Sequence, residues 1–322
     1  MSEPVGRATG PRFSVVVPAY EAASTLGETL DAIAAQRFGD WECVMVDDGS
    51  TDDTLAIATA YAERDSRFRV VHQSNQGTAG AYNAGVSSAV GDFVVICSAD
   101  DILLAEHLSR MSAFIDSEGG YDIYSSNGYF WWPGNYRELA YGPDDRQEIH
   151  SLELSDVIRR CFYSVGATYR RELHAAVGGY RPVFGEDYDF WLRALASGAR
   201  HRYLPEPLSL FRMSSSQKSA NLEAGFRSDI RLVSDLRRDF HLSATENVAV
   251  AERISELESK IATVRRPWRR VRHGGRQLVD RVLGHRRAEV ISRRLKSMIG
   301  HPIPSSASGL DHDPVGRHDG GR

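Results

Sequence analysis

Three pairs of adjacent carboxylates stand where chemistry could be done: Asp47-Asp48, Asp100-Asp101 and Glu186-Asp187. An ionised carboxylate only accepts hydrogen bonds, ligates hard cations through oxygen, and can take the proton of an attacking hydroxyl. The first pair ends the apolar run Val44-Met45-Val46 and is followed by Gly49-Ser50-Thr51-Asp52, a glycine turn into residues that favour a helix start. The second follows the apolar run Phe93 to Cys97. The third opens a helical pattern in which Phe190, Trp191, Ala194 and Leu195 share a face and Gly198 is placed as a C-cap. An apolar strand that stops at acids before a glycine turn is how an open α/β sheet offers polar groups to ligands at the carboxyl edge of its strands. Each pair also has a plainer reading, as acids that cap helices and complement their dipoles; that reading is preferred for Asp101 and weighs evenly for Asp47.

The elements that must position these acids alternate. Phe13 to Val17 is a β-branched run ended by Pro18, and Thr25 to Glu28 has capping-box spacing before Leu26, Leu30, Ile33 and Ala34 recur on one helical face. Strand 42–46, a helix with Ser50 and Asp53 at capping spacing, a short strand Arg69 to His72, a helix Ala79 to Val90 and the strand Phe93 to Cys97 follow, which predicts a mostly parallel sheet. Tyr129 to Gly134 reads as an aromatic loop or edge strand, lining the core or offering rings to a sugar. Tyr203 to Pro207 reads as a turn into the strand Leu208 to Arg212. Beyond Asn221, Phe226, Ile230, Val233, Leu236 and Phe240 mark an amphipathic helix. Val250, Ile254, Leu257, Ile261 and Val264 then keep heptad-like spacing, which suits either packing on the preceding domain or a short homodimer seam.

A chain of 322 residues with 42% apolar content allows one large or two modest domains with a sizeable core. The net charge of -4 argues against nucleic acid as a partner. Cys43, Cys97 and Cys161 show no C-x-x-C spacing and suit reduced core thiols in a cytosolic protein. No apolar h-region occurs in residues 1–11, and no apolar run approaches the ~20 residues that span a bilayer. Residues 265–296 hold twelve basic side chains against Asp280 and Glu289, interleaved with Trp268, Val271, Leu278 and Leu283. That suits a basic amphipathic element on an anionic membrane surface, with a solvated tail as the alternative. The expected organisation is a disordered leader over 1–11, a catalytic domain over 12–221, a helical extension over 222–300 and a disordered tail over 301–322.

Five segments occur in order: Ser14 to Glu21, Asp47 to Asp52, Asn75-Gln76-Gly77 running to Asn83-Ala84-Gly85, Ser98 to Asp101, and Gly185 to Asp189. Together, over residues 12–215, they resemble the family 2 glycosyltransferases, inverting enzymes of the GT-A fold that use nucleotide sugars. The resemblance implies an α/β protein with a mostly parallel sheet flanked by helices, a Rossmann-like nucleotide-binding half, and a C-terminal helical extension. It implies that Pro18, Ala19, Tyr20 and Glu21 frame the nucleotide, that Asp48 accepts the pyrimidine N3 proton, and that Gln76, Gly77 and Asn83 belong to a loop under the diphosphate. Ser98, Ala99 and Asp100 stand at the family's D-x-D motif, where Asp100 meets the ribose and a divalent metal, Mn2+ or Mg2+. Arg212 is placed near the diphosphate, Asp187 is the catalytic base, and Glu186 orients the acceptor. Asp189, four residues before Arg193, is expected in an intrahelical ion pair. His72 and His201 are expected as surface or structural groups.

Three positions depart from the family pattern: Ser98 replaces the first carboxylate of the metal motif, Tyr82 stands where an Arg often precedes the Asn, and Ser214 stands where a His is sometimes found. One carboxylate can suffice, because Mg2+ keeps several waters and binds substrate phosphates. The implied activity is transfer of a sugar from a UDP- or dTDP-sugar to a cell-surface glycan or lipid-linked acceptor; the cysteines suit a cytoplasmic enzyme, and the basic stretch 265–296 suits a peripheral place at the inner face of the plasma membrane. A nucleotide-sugar-binding protein without transfer activity is the alternative. A nucleotidyltransferase ranks last, because Pro18-Ala19-Tyr20-Glu21 is not a glycine-rich basic signature.

Overall fold

A computed structural model of the chain describes residues 10–132, 136–140, 152–160, 165–213 and 221–264. The first part alternates as the sequence predicts: β1 (Phe13–Ala19), α1 (Leu26–Ala34), β2 (Trp41–Asp47), α2 (Thr54–Arg64), β3 (Phe68–His72), α3 (Gly77–Ser88) and β4 (Phe93–Ile96). Then come β5 (Ile102–Leu103), α4 (His107–Ser117), β6 (Ile123–Trp132), β7 (Tyr136–Leu139), α5 (Leu154–Arg159), β8 (Thr168–Arg170), α6 (Arg171–Ala176), α7 (Glu186–Ala196), β9 (His201–Arg212), α8 (Leu222–Asp239) and α9 (Ala244–Val264). Among the described residues one sheet runs β3-β2-β1-β4-β8-β6-β9-β5, with β7 added against β6. The half β3-β2-β1-β4 is parallel throughout. The other half is mixed: β8 is antiparallel to both neighbours, β6 and β9 are parallel, and β5 is antiparallel to β9.

The central strands are apolar along their length because helices cover both faces of the sheet. Alternate residues of β1 go to different cores: Val15 and Val17 pack with Leu26, Leu30 and Ile33 of α1 and Leu108 and Met111 of α4. Val16 joins Ala79, Tyr82 and Val86 of α3 and Phe190 and Trp191 of α7. Leu232, Val233, Leu236, Ala249 and Val250 of the two C-terminal helices enter that second core, and Leu257 and Ile261 are buried as well. The heptad-spaced side chains from Val250 to Ile261 therefore face the chain's own interior. Of the two packings that spacing allows, Val250, Leu257 and Ile261 take the intramolecular one. The compact unit ends at Ile261.

Several local expectations change. Tyr129 to Trp132 is neither loop nor edge, since β6 is paired there with β7 on one side and β9 on the other. The segment Tyr203 to Pro207 lies inside a strand that already begins at His201. Pro207 pairs with Asn127 between two register shifts, an irregular stretch of ladder that tolerates a residue without an N–H. Thr25 makes no side-chain cap, and Glu28 instead pairs with Arg212. Asp53 caps nothing, and it is Asp52 Oδ1 that accepts the Thr54 N–H, at 3.0 Å. Gly198 does end α7, with φ of 90° and an N–H donated to Leu195 O at 2.9 Å. Cys43 and Cys97 are buried free thiols. Cys161, Ser214, the basic stretch 265–296, the tail 301–322 and residues 1–9 of the leader lie outside the described residues. Among the described residues, no helix is long and apolar enough to cross a membrane.

Candidate active site

The carboxyl ends of β1, β2 and β4, the N-terminus of α3 and the start of α7 open into one cavity of about 750 Å3. Of the residues singled out from the sequence, Pro18, Ala19, Tyr20, Glu21, Asp48, Gly77, Ser98, Ala99, Asp100, Glu186, Asp187 and Arg212 line it. Gln76 and Asn83 do not.

At the end of β2 the two acids divide their work. Asp47 is buried, with Oδ2 2.7 Å from His72 Nδ1 and Oδ1 accepting the Ser50 N–H at 3.4 Å. It holds the turn at Gly49, whose φ of 77° and approach to Asn75, 2.9 Å from where a Cβ would stand, exclude a side chain. Asp48 faces the cavity. Its N–H donates to Ala19 O at 2.9 Å, and its Oδ1 accepts from Gln73 Nε2 at 2.7 Å and from the Gln76 N–H at 2.8 Å. Gln76 therefore serves by orienting Asp48. Glu21, a non-glycine residue at φ of 50°, turns its Oε1 back to accept from the N–H and hydroxyl of Thr51, at 2.8 and 2.9 Å. Tyr20 is the half-exposed aromatic of the rim.

Gly77 and Thr78 bring the first turn of α3 to the cavity wall, so the positive end of the helix dipole lies where an anion would enter, with the Gly77 N–H donating to Asn75 Oδ1 at 3.1 Å. Asn83 points away from it. Its Nδ2 donates to Tyr180 O at 2.9 Å and its Oδ1 accepts the Tyr180 N–H at 2.8 Å, a two-point clasp on the turn through Gly178 and Gly179. Tyr82, one residue earlier, lines the cavity while nearly fully buried; its ring stacks on Tyr180 at 4.9 Å, and Tyr180 stacks on Phe190 at 4.6 Å.

After β4 the division of labour recurs in reverse order. Asp100 lines the cavity, and its carbonyl accepts from Arg212 Nε at 2.8 Å. Asp101 is 1% exposed, and its Oδ1 accepts the Arg212 N–H at 2.9 Å. Burial, reinforced by the Asp100 charge, pushes the Asp101 carboxyl well above the usual carboxylate range, and hydrogen bonds from Arg212 and Ser98 only partly offset this. Burial likewise raises the Tyr82 phenol, with Ser98 opposing and the nearby Asp187 and Glu186 carboxylates adding to the rise. The Arg212 guanidinium is paired with Glu28 and lies 4.3 Å from the centre of the Trp131 ring. It fastens the loop 98–101 to the end of β9.

Gly185, at φ of 84°, turns the chain into α7 and sets Glu186 and Asp187 in its first turn, where the dipole favours acids. Glu186 is buried; Asp187 is exposed, with Oδ1 accepting the Tyr188 N–H at 2.8 Å. Asp189 makes the expected pair with Arg193 at 2.7 Å, and Arg193 also donates to Gly179 O at 2.7 Å. His201 is structural: it is buried, 2.8 Å from Ser125 Oγ through Nε2, and accepts the Leu152 N–H at Nδ1, with burial lowering its pKa to about 3. Phe184, Phe211 and Thr78 also line the cavity, and Glu28 holds Arg212. Thr78 belongs to the loop the sequence pointed to; Phe184, Phe211 and Glu28 were not marked for the site, because their roles arise from contacts remote in the chain.

The described wall carries the carboxylates of Glu21, Asp48, Asp100, Asp101, Glu186 and Asp187 against the single cation Arg212. A diphosphate entering such a wall meets net negative charge unless a cation accompanies it. Among the described residues no three His, Cys, Asp or Glu side chains are grouped to hold a metal alone. Asp100 completed by substrate phosphate oxygens is an all-oxygen donor set that fits a hard divalent ion.

A half-parallel sheet thus gathers acidic strand ends and a helix-borne Glu-Asp pair around one cavity, the arrangement by which an open α/β sheet binds its ligand at the carboxyl edge of its strands. The fold is similar to that of Staphylococcus aureus TarS residues 1–349 in complex with UDP-GlcNAc, with a TM-score of 0.65 and 21% identity over 87% of this chain and 83% of that one. It is also similar to the mannosyltransferase PcManGT from Pyrobaculum calidifontis in complex with GDP-Man and Mn2+, with a TM-score of 0.62 and 19% identity over 91% of this chain and 82% of that one. In sequence, a PGL/p-HBAD biosynthesis glycosyltransferase of Mycobacterium tuberculosis is 32% identical over 59% of this chain and 72% of its own length. The O-antigen biosynthesis protein RfbC of Myxococcus xanthus is 31% identical over 70% of this chain but only 18% of its own. The chain belongs to glycosyl transferase family 2, whose sequence profile matches residues 14–178.

Proposed function

We propose that this glycosyltransferase moves a sugar, with inversion, from a UDP- or dTDP-sugar to a glycan or lipid-linked acceptor of the cell surface. The observation that carries the reading is that Asp48, Asp100 and Asp187, from three separate elements, line one cavity. Asp48, oriented by Gln73 and Gln76, accepts the N3–H of a pyrimidine. The first turn of α3 receives the diphosphate. Asp100 would hold Mn2+ or Mg2+ together with the phosphates, and the bound ion supplies charge neutralisation for the leaving group. The acceptor hydroxyl forms its bond to the anomeric carbon as the bond from that carbon to the diphosphate oxygen breaks on the opposite face. Its proton passes to the Asp187 carboxylate, with Glu186 beside it to orient the acceptor. The surface-glycan acceptor is supported by the names of the relatives, and the metal by the Mn2+ of the mannosyltransferase complex.

Thermal stabilisation by UDP, dTDP, GDP and CDP, each with and without Mn2+ or Mg2+, tests the donor half. A ligand at 100 times its Kd adds about 2.7 kcal/mol. Stabilisation by UDP or dTDP that depends on the metal is expected, and a preference for GDP would overturn the pyrimidine assignment. An Asp187→Asn variant that still binds the nucleotide but loses transfer separates an enzyme from the alternative, a protein that binds nucleotide sugars without turning them over. The same reading puts the enzyme in the cytoplasm, peripheral at the inner membrane face through residues 265–296, and predicts that deleting 265–322 abolishes co-sedimentation with anionic liposomes.

A further inference from the structure

The helix that carries Asp187 is joined to the helix that faces the diphosphate by a column of three rings. Tyr82 stands one turn beyond Thr78 on α3, and both line the cavity. Its ring lies on that of Tyr180, with centroids 4.9 Å apart and planes inclined by 28°, and Tyr180 lies on Phe190 of α7 at 4.6 Å and 22°. All three rings are buried, and Phe190 follows Asp187 by less than one turn of the helix. Stacked rings favour a narrow range of spacings, so the column acts as a spacer between α3 and α7.

The middle ring is held from both helices. From α3, Asn83 Oδ1 accepts the Tyr180 N–H at 2.8 Å and Asn83 Nδ2 donates to Tyr180 O at 2.9 Å. From α7, Arg193 donates to Asp189 Oδ2 at 2.8 Å, to Gly179 O at 2.7 Å and to Val177 O. Gly179, at φ of 69°, has no room for a side chain, because a Cβ there would stand 2.8 Å from Asn83 Oδ1. Neither Tyr180 nor Asn83 is among the residues that line the cavity, so what they do for the reaction passes through the helices they join.

We propose that Tyr180 and Asn83 are positioning residues for the base: column and clasp together set the distance between the diphosphate site at α3 and the Asp187 carboxylate. Asp187 is exposed at the start of α7, so its place beside the anomeric carbon is decided by where that helix lies. A misplacement of about 1 Å at a reacting group can cost on the order of a hundredfold in rate. The nucleotide contacts, made by Asp48 and the first turn of α3, stand on the near side of the column and do not need it.

The inference rests on the base assigned above, and a reaction with water as the acceptor separates the two. Water bonds to the anomeric carbon, the bond from that carbon to the diphosphate oxygen breaks, and the proton passes to Asp187. Release of nucleotide from UDP-glucose, UDP-N-acetylglucosamine and dTDP-glucose with Mn2+ is measured on the full chain, with Asp187→Asn as the floor, and affinity for UDP and dTDP is measured by calorimetric titration. Tyr180→Leu, which keeps an apolar side chain but no ring, should release nucleotide about ten- to a hundredfold more slowly while nucleotide Kd stays within about twofold. Tyr180→Phe keeps the stack, gives up only the hydroxyl contact to Tyr169 at 3.4 Å, and should restore the wild-type rate. A Leu variant at the wild-type rate, a parallel loss of rate and nucleotide affinity, or a Phe variant as slow as the Leu variant each overturns the positioning role. No binding of either nucleotide, or a wild-type rate no higher than that of Asp187→Asn, overturns the reading of the site and the proposal with it. Should the Leu variant not fold, Asn83→Ala cuts both clasp bonds while leaving the three rings in place, and the same split of rate from affinity is expected; an unchanged rate overturns the proposal.

Discussion

The parallel and mixed halves of the sheet build the same cavity by different means. In the parallel half a functional group sits just beyond its own strand and is held by near neighbours: Asp48 follows β2, and the Gln76 N–H that orients it lies 28 residues on. In the mixed half the holding groups are distant. Arg212 reaches back 111 residues to the Asp101 carboxylate and 184 to Glu28, and Asn83 clasps Tyr180 across 97. The anchoring acids differ in kind as well. Asp47 pairs with a half-exposed His72, whereas Asp101 is sealed in and driven toward its neutral form. The Asp48 side of the cavity is thus made by local turns, and the Arg212 side exists only when long-range closure is complete.

That contrast can be broken at several points. The largest effect is expected from Asp187→Asn on the mixed side, with kcat falling about 10²–10⁴-fold while UDP affinity stays with the parallel half; a matching loss of UDP affinity in titration would merge the two halves. Acid should act next, and on the mixed half. Burial lowers the pKa of His107 to about 4 and of His201 to about 3, from an ordinary 6.5. Their contribution to stability is present above pH 6.5 and is lost as pH falls toward those folded values, at up to about 1.4 kcal/mol per pH unit for each. Urea midpoints between pH 7.5 and 4.5, with hydrogen exchange to locate the first opening, would check this; earliest opening around Asp48 would contradict it.

Smaller effects separate the two kinds of anchor. Asp101→Ala leaves the buried Arg212 N–H without its acceptor and should cost about 1–3 kcal/mol in urea unfolding. Asp101→Asn keeps an acceptor and should behave differently with pH. Because the folded Asp101 carboxyl titrates well above its ordinary 3.8, its contribution is full below that ordinary value and drains as pH rises through the folded one. The Asn variant should therefore gain on the wild type as pH is raised from 4 to 8, and a constant difference would show that burial is not the governing cause. Glu28→Gln, at a pair whose acid is largely exposed, should cost less than about 1 kcal/mol by the same measurement.

The sequence made the parallel half legible because strand, acid, glycine turn and helix start lie within a few residues of one another, as from Val44 to Thr54. The Asp189–Arg193 pair was legible for the same reason of spacing. Asn83 was not, because its post is decided by a turn at Tyr180 that no local pattern announces. Arg212 was legible as a cation near the site, but its partner Glu28 looked like half of a capping box. Pro205 and Pro207 read as strand breakers because the register shifts opposite Asn127 that accommodate them are a property of the paired strands. The heptad spacing from Val250 gave an apolar stripe without naming the surface it would cover.

The fastening of residues 98–101 by Arg212 also sets an order of events during synthesis. When the last residues of β4 leave the ribosome, every parallel strand of the nucleotide half exists. The loop that ends in Asp101 still waits for a residue 111 positions further along. At ordinary translation rates that interval is on the order of 5–20 s. A newborn chain can shape the Asp48 side of the cavity before the residue that fastens loop 98–101 has been made.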